Sequence, residues 1–272
     1  MKDQNFESME SGARFNGVPS MFTLCNALCG FSAIVITMGG AADASVVSRM
    51  ALWLVCGAMF FDLLDGLAAR LLNAHSMHGL QLDSLADAIS FGAAPAVMIF
   101  RIIQHHAGVF ALAEYVAWLM AGLYLGCAIW RLAAHNTRAI TAVDDVSEKA
   151  VFVGLPSPAA AAMVCCMVRF LPDYLVEGWS LYLGYIAYAA LSALLMVSSA
   201  PYPHLRTLFE RAPTWIPVLT IVLLAGSLFS MGVVALLLWA HIYILSAPAV
   251  ALAMKLEHRF DLVEWVRLHV RQ

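Results

Sequence analysis

The chain has 272 residues, of which 62% are hydrophobic and 12% charged, and its formal net charge is −3. Soluble domains average about 45–50% apolar and 25% charged residues, so this composition excludes a disordered chain, a coiled coil and most soluble enzymes. The small negative charge gives no indication of nucleic-acid binding. The composition predicts an all-α polytopic membrane protein.

The apolar residues fall into eight stretches, and a helix needs about 20 such residues to cross a bilayer. The stretches run roughly over residues 21–41, 47–71, 82–103, 108–131, 150–170, 175–199, 214–231 and 233–254. Only Ser230 and Gly232 separate the last two stretches, so a bundle of seven spans is the alternative. Residues 255–272 alternate charged and apolar side chains, which predicts an amphipathic tail on the membrane surface.

The distribution of Lys and Arg predicts the orientation of the bundle. With eight spans, both termini lie on one side of the membrane. Three of the 15 cations, Arg49, Arg101 and Arg169, fall on the opposite side, and the other 12 fall on the side of the termini. Because cytoplasmic loops carry the excess of positive charge, both termini are expected to be cytoplasmic.

Four carboxylates interrupt the second and third spans, where charge is costly and indicates a functional site. Asp62 and Asp65 are three residues apart, and Asp83 and Asp87 are four apart, so each pair lies on one helix face. The short polar connection over residues 73–79 makes the two helices antiparallel. We therefore expect the two pairs to face each other near the cytoplasmic end.

Four facing carboxylates repel one another in a low dielectric unless protons or hard cations neutralise them. Oxygen ligands without His or Cys suit Mg²⁺, Mn²⁺ or Ca²⁺. Small neighbours, among them Gly66, Ala69 and Gly79, leave room for a ligand, although small residues also serve ordinary helix packing. Arg70 lies one turn from Gly66 and could pair with an acid or a phosphate.

These residues form one long pattern, Asp62-x-x-Asp65-Gly66-x-x-Ala69-Arg70, eight residues, Gly79-x-x-x-Asp83-x-x-x-Asp87. The pattern resembles the signature of the CDP-alcohol phosphatidyltransferase family at every position. The resemblance implies an enzyme in which an alcohol displaces CMP from a CDP-linked lipid. It implies that Asp62, Asp65 and Asp83 hold two divalent ions, Mg²⁺ or Mn²⁺, with Asp87 near them and acting as the base. Gly66, Ala69, Arg70 and Gly79 would lie against the CDP-lipid.

Other segments resemble the branch of this family that makes phosphatidylserine. They are Pro19–Gly30, Asp83–Pro95, Phe152–Ala160 and Met196–Pro203, with Ser20 replacing a usual Asn. The resemblance implies CDP-diacylglycerol and L-serine as substrates, with Thr23 and Asn26 contacting the CDP-lipid. It implies a six-helix catalytic core over residues 21–206, after a cytoplasmic segment 1–20 and before two additional helices in 207–254. A homodimer is also implied and, if the protein is bacterial, a location in the inner membrane.

The acceptor site is less sharply indicated, because the segment from Arg131 to Asn136 departs from the family pattern. Arg131 and Asn136, placed at a helix end beside a polar loop, would supply the counter-charge for the serine carboxylate. Pro156 and Pro158 are expected to break the fifth span and line a cavity. Hydroxyls toward that cavity would come from Ser84, Ser90 and Ser157. The alternatives are a positive-inside anchor for Arg131 and serines bonded to their own helices.

Two other functions compete with this interpretation. A sister enzyme would use choline, inositol or glycerol phosphate as the acceptor. A cation transporter would also carry intramembrane acids, but transporters tend to show repeats and acids near the midplane. Here the acids cluster near one face and no repeat is visible. The spacing Gly122-x-x-x-Gly126 is a weak indication of a dimer face.

Overall fold

The computed structural model describes residues 17–39, 44–72, 77–106, 112–141, 151–176, 178–203 and 241–246, with isolated positions between 219 and 239. Helices and two short strands account for most of these residues. The helices are α1 (Gly17–Met38), α2 (Ala44–Leu71), α3 (Met77–Asp87), a π-helical segment (Ala88–Ala93), α4 (Ala94–His106), α5 (Ala113–Thr141), α6 (Ser157–Tyr174) and α7 (Trp179–Val197), and the strands are β1 (Val151–Val153) and β2 (Pro201–Pro203).

The predicted all-α polytopic membrane bundle is confirmed. Within the described residues, five helices are long and apolar enough to cross a bilayer: Pro19–Met38, Arg49–Ala68, His78–His106, Glu114–Thr137 and Trp179–Val197. Most of the seventh and eighth predicted spans and the whole tail lie outside the described residues. The number of eight spans and the side of the termini therefore stay predictions.

Contacts along the helices define their relative directions. Thr23 of α1 meets Asp65 of α2, and Cys29 lies against Gly57, so α1 and α2 are antiparallel. α1 runs parallel to α3 and α4, since Asn26 contacts Asp87 and Gly30 abuts Ser90. α5 is antiparallel to α3 and α4, because Tyr124 bonds to Phe91 and Asn136 bonds to Ser84. These directions bring both acidic pairs to one end of the bundle.

α6 is the central helix of the described bundle. None of its residues from Ala160 to Val168 exposes more than 6% of its surface. The helix begins at Ser157, whereas the sequence predicted a span from residue 150. Pro156 and Pro158 therefore stand at the helix start, where proline is tolerated, and the predicted break inside a span is wrong.

Strands β1 and β2 form an antiparallel ribbon that links the start of α6 to the end of α7. Phe152 pairs with Tyr202 in the register. Gly154 follows β1 with φ at +85°, and its N–H donates to the Ala200 carbonyl. A side chain at this position would collide with the Met196 carbonyl oxygen, so the turn requires glycine.

Two helices are longer than predicted. α5 continues to Thr141 instead of ending near residue 131, and the buried row Tyr124, Ala128 and Leu132 passes through the predicted end without a break in the four-residue period. Asn136 thus lies on a helix, and the predicted polar loop beside Arg131 is wrong. α3 begins at Met77, which places Gly79 inside the helix and outside the connecting turn.

Candidate active site

Three carboxylates meet at the end of the bundle where α2 finishes and α3 starts. Asp62 comes from α2, and Asp83 and Asp87 come from α3. One carboxylate oxygen of each residue lies within 4.8 Å of the other two. The i, i+4 spacing puts Asp83 and Asp87 on one face of α3, and the antiparallel course of α2 brings Asp62 opposite them.

Asp65 is turned toward α1 and is not part of this group of three. It is buried, and its carboxylate accepts a hydrogen bond from the Thr23 hydroxyl. The Thr23 hydroxyl also lies 3.1 Å from the carbonyl oxygen of Pro19, one turn earlier in α1. Thr23 therefore fixes the orientation of the fourth acid from the neighbouring helix.

Asp87 is held by Asn26 of α1. The Asn26 amide donates to Asp87 Oδ1 at 3.2 Å, and the Asn26 side chain is fully buried. Asn26 Oδ1 has no hydrogen-bond partner among the described residues. A buried acceptor without a donor is costly, so a hydrogen-bond donor placed at this atom would remove that cost.

α5 and α6 supply the wall opposite α1. Arg131 donates to the Ser157 hydroxyl at 2.6 Å and interacts electrostatically with Asp87. Its Nε is buried and, within the described residues, has no hydrogen-bond partner. Asn136 donates to the Ser84 hydroxyl at 2.7 Å. Four of the five residues predicted for the acceptor thus meet in two pairs, Arg131 with Ser157 and Asn136 with Ser84.

Ser90 is the fifth, and it lies on a different side of its helix. Its hydroxyl is fully buried and donates to the main-chain oxygen of Asn26 at 2.8 Å. Gly30 of α1 contacts Ser90 so closely that an added Cβ would lie 2.5 Å from the Ser90 Cα. Ser90 therefore joins α1 to the π-helical segment.

The small residues of the pattern flank the acids. An added Cβ at Gly66 would meet no described heavy atom within 4 Å, so space is open above this position. Gly79 is half-buried near the start of α3. Ala69 and Arg70 belong to α2, but their side chains lie outside the described part of the structure.

The donor set of this site fits a hard divalent cation. Three carboxylates with oxygens this close repel one another, and a cation between them removes the repulsion. Mg²⁺ and Mn²⁺ prefer oxygen ligands of this kind.

Two residues that pack beside the acid site were not predicted from the sequence. Gly30 and Tyr124 both pack on the π-helical segment after Asp87, and Pro95 was the only local signal of that segment.

The family model described as CDP-alcohol phosphatidyltransferase matches residues 16–196. A protein of Helicobacter pylori named CDP-diacylglycerol–serine O-phosphatidyltransferase is 28% identical over 256 residues, covering 93% of this chain and 92% of that protein. A Bacillus subtilis protein of the same name is 31% identical over 192 residues, covering 70% and 92% of the two chains.

The archaetidylserine synthase of Methanothermobacter thermautotrophicus is 30% identical over 192 residues, covering 70% of this chain and 71% of that protein. All four acids lie inside the segment that the family model matches. The predicted resemblance is confirmed, and the chain belongs to the CDP-alcohol phosphatidyltransferase family of membrane transferases.

Proposed function

We propose that this chain transfers the phosphatidyl group of CDP-diacylglycerol to the hydroxyl of L-serine, which yields phosphatidylserine and CMP. The observation that carries the proposal is the meeting of Asp62, Asp83 and Asp87 within a family whose bacterial relatives are named for this reaction. The archaeal relative differs in the lipid part of its name and shares the serine part. Serine is therefore the best supported acceptor.

The four acids would hold two divalent ions, Mg²⁺ or Mn²⁺. Asp62, Asp83 and Asp87 would bind them directly, and Asp65 would join them from its position beside Thr23. When bound, such ions offset the charge of the pyrophosphate and of the departing CMP.

Asp87 is the proposed base. Asn26 occupies Asp87 Oδ1, which leaves Oδ2 to take the proton of the serine hydroxyl. The serine oxygen then bonds to the phosphorus that carries diacylglycerol. The bond from that phosphorus to the bridging oxygen breaks, and the bridging oxygen leaves with CMP.

The two substrates would approach from different walls. The CDP-lipid would lie over Thr23, Asn26, Gly66 and Gly79, with Ala69 and Arg70 beside it, and the open space above Gly66 supports this placement. Serine would lie toward α5 and α6, where Ser84, Asn136 and Ser157 offer hydrogen bonds, and Ser90 would support this wall from behind. The unpartnered Nε of Arg131 suits a carboxylate.

The proposed setting is the cytoplasmic face of a bacterial inner membrane. The 12 cations on the side of the termini support this orientation. The catalytic core would occupy residues 21–206, with two additional helices in 207–254. A homodimer is proposed as well, since Gly122 and Gly126 on α5 have no described atom within 4 Å of an added Cβ.

CMP release tests the proposal. Purified protein with Mn²⁺ and CDP-diacylglycerol should release CMP when L-serine is added, and chelation of the metal should stop the release. Parallel reactions contain choline, inositol or glycerol 3-phosphate in place of serine. Release with one of these and none with serine would show that the acceptor is wrong.

The variant Asp87→Asn separates catalysis from binding in the same assay. It should abolish CMP release, because the amide keeps the shape of the side chain and removes the base. Binding of CDP-diacylglycerol should be retained, because Asp62, Asp65 and Asp83 would still hold the metal. The exposed Asp173, paired with Arg169 at the far end of α6, offers the matched control Asp173→Asn. Unchanged turnover in Asp87→Asn would remove Asp87 as the base.

A further inference from the structure

The helical rod of α3 and α4 changes its winding immediately after Asp87. Residues Ala88–Ala93 form a π-helical segment, and the N–H of Ala94 donates to the carbonyl of Ile89, five residues earlier. The local cause is Pro95. In an α-helix its N–H would bond the Phe91 carbonyl, but proline has no N–H, and its ring crowds that carbonyl.

Tyr124 of α5 supplies the missing donor. Its hydroxyl donates to the Phe91 carbonyl oxygen at 3.1 Å, and the whole side chain is buried. A buried carbonyl without a donor is costly. The hydroxyl of Tyr124 therefore stabilises the π-helical winding at the point where proline prevents the α-helical bond.

The opposite side of the same segment is fixed by α1. Ser90 donates to the main-chain oxygen of Asn26, and Gly30 allows the two backbones to meet. The side chain of Asn26 in turn holds Asp87. The segment is thus bonded on one side to a residue of the acid site and on the other to Tyr124.

The winding of this segment determines where the acids of α3 point. Each residue of an α-helix turns the chain by about 100°, so converting the π-helical turn to an α-helical one would rotate α3 against α4 by about that angle. α4 is anchored in the core through Ile99 and Ile103. The rotation would therefore carry Asp83 and Asp87 away from Asp62.

From this geometry we infer that Tyr124 is a positioning residue for the reaction. Its hydroxyl holds the π-helical segment that aims Asp83 and Asp87 at Asp62, and it touches neither substrate. The inference rests on the proposed role of these acids. It adds a residue that lies outside the acid pattern and on a different helix.

The test is Tyr124→Phe in the full-length protein, compared with Tyr185→Phe. Both tyrosines are fully buried, but among the described residues the Tyr185 hydroxyl has no hydrogen-bond partner. Three quantities are measured: kcat for CMP release, Mn²⁺ affinity by electron paramagnetic resonance without substrates, and the thermal unfolding midpoint.

We expect Tyr124→Phe to lower kcat about tenfold and to weaken Mn²⁺ binding about tenfold, at temperatures well below its unfolding midpoint. The KM for CDP-diacylglycerol should change less than about twofold, and Tyr185→Phe should match the unmodified protein in kcat and Mn²⁺ affinity. Unchanged Mn²⁺ affinity in Tyr124→Phe would overturn the inference, and so would a lower unfolding midpoint with unchanged kcat. If the unmodified protein releases no CMP with serine, the proposed function fails, while the Mn²⁺ comparison still decides the role of Tyr124.

Discussion

Asp65 illustrates how far residue spacing predicts a site. The i, i+3 and i, i+4 intervals placed four acids on two facing surfaces, and three of them meet within 4.8 Å. The fourth bonds to Thr23, which lies 42 positions earlier in the chain. Spacing within one helix predicts which face a side chain occupies, but its rotamer depends on partners from other helices. Those partners follow from tertiary packing alone.

Arg131 offers the sharpest test of the acceptor site. Arg131→Lys keeps the charge, but a single ammonium cannot reproduce both the Nη1 bond to Ser157 and the second donor at Nε. We expect the KM for serine to rise about tenfold, the equivalent of one lost charged hydrogen bond, and the KM for CDP-diacylglycerol to stay within about twofold. Steady-state kinetics with each substrate varied in turn provides the two constants.

Arg169→Lys is the matched control for that experiment. Arg169 is exposed at the other end of α6 and pairs with Asp173 at 2.8 Å. Such a surface pair contributes little, so both constants should remain unchanged. An equal rise of the two KM values in Arg131→Lys would contradict a specific role in acceptor binding.

At the scale of the helices, the contact of α1 with the π-helical segment is the tightest approach near the site. Gly30→Ala should destabilise the protein by about 1–3 kcal/mol, because the added methyl group collides with the backbone of Ser90. It should also weaken Mn²⁺ binding, since α1 carries Thr23 and Asn26 to the acids. Thermal unfolding in detergent and a Mn²⁺ titration measure the two effects.

Gly226→Ala controls for the general effect of alanine in a helix. No described atom lies within 4 Å of an added Cβ at Gly226. Alanine favours helix over glycine by up to about 1 kcal/mol, so this variant should be as stable as the unmodified protein or more so. A Gly30→Ala variant that unfolds at the same temperature as Gly226→Ala would show that α1 can move away without cost.

The element boundaries show where sequence analysis reaches its limit. The hydropathy pattern predicted that the fourth span ends near Arg131, because a charged residue marks the membrane surface. The helix instead continues past the buried Leu132 to Thr141. The π-helical segment was not predicted, although Pro95 stands four residues after Phe91. A proline in a membrane helix permits several local windings, and the hydroxyl of Tyr124, from another helix, selects the observed one.

For the whole molecule, the number of spans determines where the C-terminus lies. Eight spans place it in the cytoplasm, and seven place it across the membrane. A green fluorescent protein fused after Gln272 should fluoresce in a bacterial host, and alkaline phosphatase fused there should be inactive, because each reporter works on one side only. The activities of the two reporters therefore distinguish eight spans from seven.

Fusions after His106 provide the reference for the other side. The end of α4 and the start of α5 lie at the end of the bundle opposite the acids, so alkaline phosphatase fused after His106 should be active. Inactive phosphatase at both positions would contradict the orientation predicted from the 12 cations. The orientation of the acid site is tested by the same pair of fusions.

α6 has a consequence for how the protein is made. Because its middle from Ala160 to Val168 is enclosed by protein, this segment meets almost no lipid in the finished bundle. Five helices of the described residues are long and apolar enough to cross a bilayer, and α6 is not one of them. The translocon releases a segment into the bilayer according to the affinity of that segment for lipid. That affinity is expected to be low for α6. The helices made before it, α1 to α5, would then receive α6, and contact between helices would hold it in the bundle.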